Sequence, residues 1–301
     1  MKISIKKFNT FNLLFKLLLS TCTFLLNIAC SESKLPKYVE LKDLRVLSLV
    51  ADKPEVNPGS SVTVTPIISD INETSSLNYI ATGCIDPGVS LGAKATCENS
   101  SSKVTLAEGS INSSSNSEMA ENFTGQAPSF SFSIPNSEVI FSSRSAQDQF
   151  NGVAYLLTYE VNNTRGEKVS AYRRILVSNK SSDAKNLNPV VNQIFSQGNA
   201  LSANAYPLNG IYTLSLGIDN NSFQSYEVQL TNGDIETRVE ELTTTWFITD
   251  GSVKYFRSSQ LDSNEFTAPE TLPSTRKSFL ISVTRDSRGG IAIKRICGGC
   301  N

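Results

Sequence analysis

Residues 129–134 read Ser129-Phe130-Ser131-Phe132-Ser133-Ile134, an unbroken alternation of polar and apolar side chains. Successive side chains of a β-strand point to opposite faces, so this pattern predicts a strand that buries Phe130, Phe132 and Ile134. Other short apolar segments, bounded by turn-forming residues, occur along most of the chain. The sequence therefore predicts an all-β protein.

The composition agrees with short strands joined by polar turns. Of the 301 residues, 39% are hydrophobic and 18% are charged. Both fractions lie below the averages of globular proteins, and serine, asparagine and threonine are abundant, which argues against a helical bundle. The formal net charge of -1 gives the chain no attraction for nucleic acid.

The chain contains no histidine. Nucleophile pairs of the Ser-His-Asp or Cys-His type and histidine metal ligands are therefore excluded, and with them most hydrolase and zinc-enzyme designs. We expect a protein without catalytic activity, cofactor or metal site.

The first thirty residues have the layout of a secretory leader. A basic segment without acidic residues precedes thirteen largely apolar residues, 17–29. This segment is shorter than the roughly 18 to 20 residues of a membrane-spanning helix, so we expect residues 1–29 to be a cleaved signal peptide. The basic residues are Lys2, Lys6, Lys7 and Lys16.

Leu26-Asn27-Ile28-Ala29-Cys30 resembles the lipobox of bacterial lipoproteins, although Asn27 stands where that family usually has leucine. The resemblance implies cleavage before Cys30 and attachment of diacylglycerol, and then a further acyl chain, to that residue. It also implies anchorage in a bacterial envelope, and Ser31 after the cysteine favours the outer membrane of a Gram-negative cell. An ordinary secretory leader is the alternative.

We expect a short tether at residues 30–41 and two tandem immunoglobulin-like β-sandwiches at 42–180 and 187–301. The boundary is placed in the polar segment before Pro189. Within the first domain, residues 99–126 are mostly serine, asparagine, glutamate and glycine, which predicts a long polar loop.

Two segments carry the likeness to immunoglobulin folds. Residues 51–70, ADKPEVNPGSSVTVTPIISD, resemble the opening A and B strands of immunoglobulin-like domains in bacterial surface proteins. Residues 279–293, FLISVTRDSRGGIAI, resemble the end of PKD-like repeats, where a strand, a turn with paired glycines and a final strand recur. Such domains commonly bury one tryptophan, and we expect Trp246 to pack in a core rather than bind a ligand.

Cysteine usage indicates disulfides, because an even number of thiols would remain in an exported chain after Cys30 is lipidated. Cys84 and Cys97 would close a loop of about a dozen residues, which contributes about 3 kcal/mol in the chain-entropy model. Cys297 and Cys300 have the spacing of a redox motif, but only Asn301 follows them here. A structural disulfide is favoured over an intermolecular one, and both over metal or redox chemistry.

The charged residues have simple interpretations. Aspartates near turns, such as Asp219 and Asp286, are expected to bond nearby backbone rather than calcium. Arg173-Arg174 and the arginines of 285–288 are expected to be solvated. Glu240 and Glu241 could supply paired acids, but neighbours on a strand point to opposite faces.

These features predict a non-catalytic lipoprotein of the cell envelope, attached to the membrane through its N-terminal lipid. Its immunoglobulin-like domains would bind or adhere to an envelope protein, a polysaccharide or a host surface. The alternatives are a structural spacer or assembly lipoprotein and, from another class, a carbohydrate-active accessory protein.

Overall fold

A computed structural model of the protein describes residues 38–72, 76–88, 95–112, 124–203, 206–259, 261–274 and 277–298. The signal peptide predicted at 1–29, Cys30, residues 30–37 of the predicted tether, and Cys300 lie outside these residues. The described chain is almost entirely β-structure, which confirms the predicted fold class.

The described residues of the first half form nine strands and two short helices. In chain order they are β1 (Arg45–Ala51), β2 (Glu55–Val56), β3 (Ser61–Ser69), β4 (Ser76–Ile85), β5 (Val104–Asn112), β6 (Gly125–Gln126), β7 (Phe130–Ser133), α1 (Ser137–Ile140), α2 (Ala146–Asn151), β8 (Val153–Asn163) and β9 (Lys168–Val177). One sheet has the order β1-β3-β6 with β7 also on β3, and the other has the order β2-β9-β8-β4-β5.

The second half contains eleven strands within the described residues. In chain order they are β10 (Val191–Ser196), β11 (Asn199–Ala200), β12 (Gly210–Ile218), β13 (Ser225–Gln229), β14 (Ile235–Val239), β15 (Thr243–Ile248), β16 (Ser252–Val253), β17 (Arg257–Ser259), β18 (Asn264–Ala268), β19 (Ser278–Arg285) and β20 (Ile291–Gly298). The two larger sheets have the orders β11-β10-β12-β18-β16 and β17-β15-β19-β20, and β13 pairs with β14 in a separate hairpin.

Each half has its own apolar core. In the first, Phe130, Phe132 and Ile134 are buried as their alternation predicted, and Phe130 and Phe132 stack on Tyr159 and Tyr155 with ring centroids 6.3 Å and 5.9 Å apart. In the second, Trp246 is fully buried and its Nε1 donates to Ser258 Oγ at 3.1 Å. The prediction that Trp246 is a core residue is confirmed.

A third apolar cluster joins the two halves, and β19 lies at its centre. Seven of the eight residues of β19 are buried, so this strand is covered on both faces. Leu280 packs into the core of the second half, whereas Ile281 and Val283 pack against residues of the first half. The members of this joint cluster are Leu41, Leu47, Ile67, Phe247, Phe279, Ile281, Val283, Ile291 and Cys297.

The last residues of the predicted tether belong to the folded unit. Residues 38–41 lie beside β15: Leu41 N donates to Ile248 O at 2.8 Å, and Ile248 N donates to Val39 O at 2.9 Å. Val39 and Leu41 are buried in the second core and the joint cluster respectively. Residues 38–41, which precede the first half in sequence, thus pair with a strand of the second half. The tether prediction is wrong over 38–41.

The long loop predicted at 99–126 is interrupted by regular structure. Residues 104–112 form β5, an edge strand that pairs along β4 although most of its side chains are exposed and polar. Backbone hydrogen bonding to β4 and burial of Ile111 stabilise this strand, and neither is visible in its composition. Residues 113–123 lie outside the described part.

Both helices of the first half begin with side-chain caps that the strand-based interpretation missed. Asn136 accepts from Val139 N before α1, and Ser145 and Asp148 form a reciprocal capping box at the start of α2.

In the part of the chain that the structure describes, no helix has the length and apolarity needed to cross a bilayer.

Leu41→Ala should lower the free energy of unfolding by about 2 to 5 kcal/mol, because it empties a fully buried site. Leu261, 63% exposed, supplies the matched control, and Leu261→Ala should change stability by no more than about 0.5 kcal/mol. Urea unfolding of both variants measures the difference. Equal midpoints would show that residues 38–41 do not contribute to the fold.

Candidate functional site

The first predicted disulfide is present. Cys84 on β4 is bonded to Cys97, with Cα atoms 5.7 Å apart, and both residues are buried beside Leu156. Cys297 at the end of β20 is also disulfide-bonded, and Cys300 lies outside the described residues. Pairing between Cys297 and Cys300 stays a prediction.

The aspartates at turns bond backbone groups. Asp286 Oδ1 accepts from Arg288 N at 2.9 Å and from Gly290 N at 2.6 Å, closing the turn between β19 and β20. Asp219 accepts from Asn221 N at 2.8 Å. Across the described ranges, no group of three or more acidic, histidine or cysteine residues is arranged to hold a metal ion.

Glu240 and Glu241 do not form a pair of acids in a shared site. Both lie after the end of β14, and Glu240 is buried whereas Glu241 is exposed. Glu240 accepts from Ser287 N at 3.1 Å and pairs with Arg288 Nε. Its role is therefore to bind the turn between β19 and β20.

Polar groups beside the joint cluster also hold the two halves together, and we call this whole contact region the joint. Glu55 of β2 is buried and accepts from Ser178 Oγ at 2.5 Å and from Asn186 N at 2.8 Å. Arg288 Nη1 of the second half lies 3.2 Å from Glu55 Oε2. The segment between the two predicted domains is thus bonded into the joint rather than left as a free linker.

Arg288 connects three parts of the joint. Its side chain is 9% exposed, it pairs with Glu55 and Glu240, and its guanidinium carbon lies 4.3 Å from the ring centroid of Tyr226 on β13. Gly290, two residues later, lies close to the segment that connects the halves. A Cβ on Gly290 would stand 2.8 Å from Leu187 O of that segment. The turn therefore requires both the arginine and the glycine at these positions.

The hairpin of β13 and β14 contacts the first half. Gln229 N donates to Asn151 Oδ1 at 2.8 Å, and Asn151 Nδ2 donates back to Gln229 O at 2.8 Å. Lys180 Nζ donates to Glu227 O at 2.9 Å. These bonds hold the two halves together on a second side of the joint.

A cleft of about 600 Å³ opens at the joint between β1, β9 and the turn that follows β19. It brings together the two basic segments, Arg173-Arg174 and Arg285 to Arg288, which lie far apart in sequence. Among the described residues that line it, every acidic or basic side chain is an arginine. The expectation that these arginines are solvated is wrong for Arg173 and Arg288, which are 6% and 9% exposed.

Arg173 is the least compensated charge at the cleft. Its Nε and Nη2 are buried and have no hydrogen-bond partner among the residues that the structure describes. Burial lowers the pKa of Arg173 to about 10, while the nearby Asp286 acts in the opposite direction. The guanidinium is nevertheless charged at neutral pH, because this pKa lies well above 7.

Arg285 lies across the cleft and is held by neutral oxygens. Its Nη2 donates to Leu47 O at 3.0 Å and its Nη1 to Thr245 Oγ1 at 3.5 Å. The carbonyl of Leu47 is available because β1 has an irregularity between Val46 and Ser48. Burial lowers the pKa of Arg285.

The pattern of β9 contains a signal for the burial of Arg173. Ala171, Ile175 and Val177 lie two or four residues from Arg173, and therefore on the same face of the strand. That alternation places Arg173 on the core side, although its charge suggests exposure. The alternation along β9 could not have indicated that Arg173 lies near Arg285, because that proximity depends on how the two halves pack.

Comparisons with known proteins add little. No family model matches the chain, and no curated protein does. The structure of red sea bream transglutaminase aligns with a TM-score of 0.27 and 8% identity, over 87% of this chain and 32% of that one. Dimeric latent PorU from Porphyromonas gingivalis aligns with a TM-score of 0.23 and 7% identity, over 87% and 24%. The chain spans about a third and a quarter of their lengths, and at such scores neither likeness bears on function.

Arg288→Met should lower the free energy of unfolding by about 3 to 5 kcal/mol, because it leaves the buried carboxylates of Glu55 and Glu240 without their cation. Arg238, which pairs with Glu236 at the surface, is the control, and Arg238→Met should leave the urea midpoint close to that of the parent, because water screens this pair. Urea unfolding compares the two. Similar losses would contradict a structural role for the Arg288 ion pairs.

Proposed function

We propose that this protein is a non-catalytic lipoprotein of a bacterial cell envelope that binds a partner at the cleft between its two β-sandwiches. Lipid on Cys30 would hold it at the membrane, most simply the outer membrane. The sandwiches would present the cleft to an envelope protein, a polysaccharide or a host surface.

The cleft is the observation that carries the binding role. Its volume of about 600 Å³ lies within the range of roughly 300 to 1,000 Å³ found for ligand sites. It is lined by side chains of both halves, whose relative position is fixed by the joint cluster and by Arg288. A site formed between two fixed bodies is preorganised, which reduces the entropy lost when a ligand binds.

Sequence features support the lipid anchor. A basic segment, a short apolar segment and a lipobox-like sequence precede Cys30. The two or three acyl chains of a mature bacterial lipoprotein would hold the protein firmly, whereas one chain gives only marginal binding. The absence of histidine and the separation of Glu240 from Glu241 support a role without catalysis.

The bonded joint also favours a second candidate, a structural spacer. A hinge between sandwiches would bend, whereas the contacts of Glu55 and Asn151 with the second half resist bending. Protease treatment of whole cells separates the two roles: an adhesin must be cleaved from outside, and a periplasmic spacer is shielded.

Cys30→Ser should abolish incorporation of labelled palmitate and release the protein from the membrane fraction, because it removes the sulfur that would carry the lipid. Cys22→Ser is the matched control, since Cys22 would leave with the signal peptide, and it should keep both properties. Mass spectrometry of the mature N-terminus should find an acylated Cys30. Palmitate labelling that persists in Cys30→Ser would overturn the anchor.

A further inference from the structure

We propose that the cleft binds the oxyanion group of an acidic ligand, a carboxylate, sulfate or phosphate ester, through Arg173 and Arg285. This inference rests on the proposed binding role and names its ligand chemistry. It is independent of the lipid anchor, which does not touch the cleft residues.

The charge balance of the cleft is the first argument. Arg174 pairs with Asp86, and Arg288 pairs with Glu55 and Glu240. Arg173 and Arg285 form no ion pair with any acid in the described residues. The half-buried Arg285 disfavours the charge of the buried Arg173, and a bound anion would offset that repulsion.

The neighbouring acid does not fill this role. Asp286 is the acid that acts on Arg173, but its Oδ1 accepts from two backbone N–H groups of its own turn and its Oδ2 accepts from Asn186 Nδ2 at 3.1 Å. Its oxygens are therefore committed to the turn and the connecting segment. Asp286 offsets part of the charge of Arg173 through space, but within the described residues it does not take up the Nε and Nη2 donors, which are left for a ligand.

The unpartnered donors of Arg173 match the shape of an oxyanion. Nε and Nη2 lie on the same edge of the planar guanidinium, and together they form a fork that donates two parallel hydrogen bonds. Carboxylate, sulfate and phosphate groups each present two oxygens at a matching spacing. Arg173 lines the cleft, and within the described residues neither nitrogen has a hydrogen bond to give up when it binds a ligand.

Other lining groups fit the rest of such a ligand. Ser48 lines the same cleft, and its Oγ is buried with no hydrogen-bond partner in the described ranges. Tyr38 and Tyr172 line the cleft with 61% and 52% of their surface exposed. Exposed rings next to arginines suit a ring-shaped acidic ligand, such as an acidic sugar, that lays an apolar face on an aromatic side chain.

Thermal unfolding of the purified full chain tests the proposal, since a ligand that binds the folded state raises the melting temperature. The probes are glucuronate, glucose 6-phosphate and glucose 6-sulfate, with glucose as the neutral control, all at one ionic strength fixed with sodium chloride. At least one acidic probe should raise the melting temperature saturably while glucose does not. The strongest probe identifies the oxyanion.

Arg173→Met should weaken binding of that probe roughly 10- to 100-fold, because two charge-assisted hydrogen bonds are lost. The variant should melt no lower than the parent without ligand, since it replaces a buried unpaired charge. Arg238→Met, on the β13–β14 hairpin, should bind as the parent does. Arg285→Gln provides a second test if Arg173→Met is unstable, and it should also weaken binding of that probe, because it removes the second positive charge that has no ion pair among the described residues.

The inference is wrong if none of the acidic probes gives a saturable shift in the parent protein. It is also wrong if Arg173→Met and Arg285→Gln both respond as the parent does. Saturable binding of glucose alone would overturn the oxyanion site while leaving the cleft as a binding site. Failure of lipidation at Cys30 would overturn the anchor and leave these results unchanged.

Discussion

One sheet of the second half is buried on both faces, and this burial joins the two halves of the protein. The sheet of β17, β15, β19 and β20 has the core of the second sandwich on one side and residues of the first half on the other. Ile281 and Val283 of β19 cannot be covered by the second half alone, because their face points away from its core. Apolar burial at this middle layer therefore makes the two halves one folded unit.

Polar groups around that layer set how the halves meet. Glu55 and Arg288 come from different halves and lie close to each other in a buried network. Such pairs add little net stability when compared with apolar replacements, because removing both charges from water is costly. The pair nevertheless ties β2 to the turn after β19, and this contact places Arg288 in the lining of the cleft.

Arg173 is kept in an environment that disfavours its charge. Burial lowers its pKa, and in the described part of the chain two of its nitrogens find no hydrogen-bond partner. An unpaired buried cation costs stability, and methionine or leucine at this position of β9 would extend the apolar face formed by Ile175 and Val177. A cost of this kind is typical of binding sites, where a group is held ready for a partner that supplies the missing contacts.

The sequence by itself determined the fold class, the core side of individual strands and local turns. Alternation placed Phe130 and Phe132 inward, and the spacing of Cys84 and Cys97 indicated their disulfide, because these features depend on residues close in the chain. Only the tertiary structure decided that residues 38–41 join the second half, that the polar segment 104–112 forms an edge strand, and that Arg173 and Arg285 line one cleft. Each of these results from contacts between residues far apart in sequence, and their free energy is not encoded in local composition or periodicity.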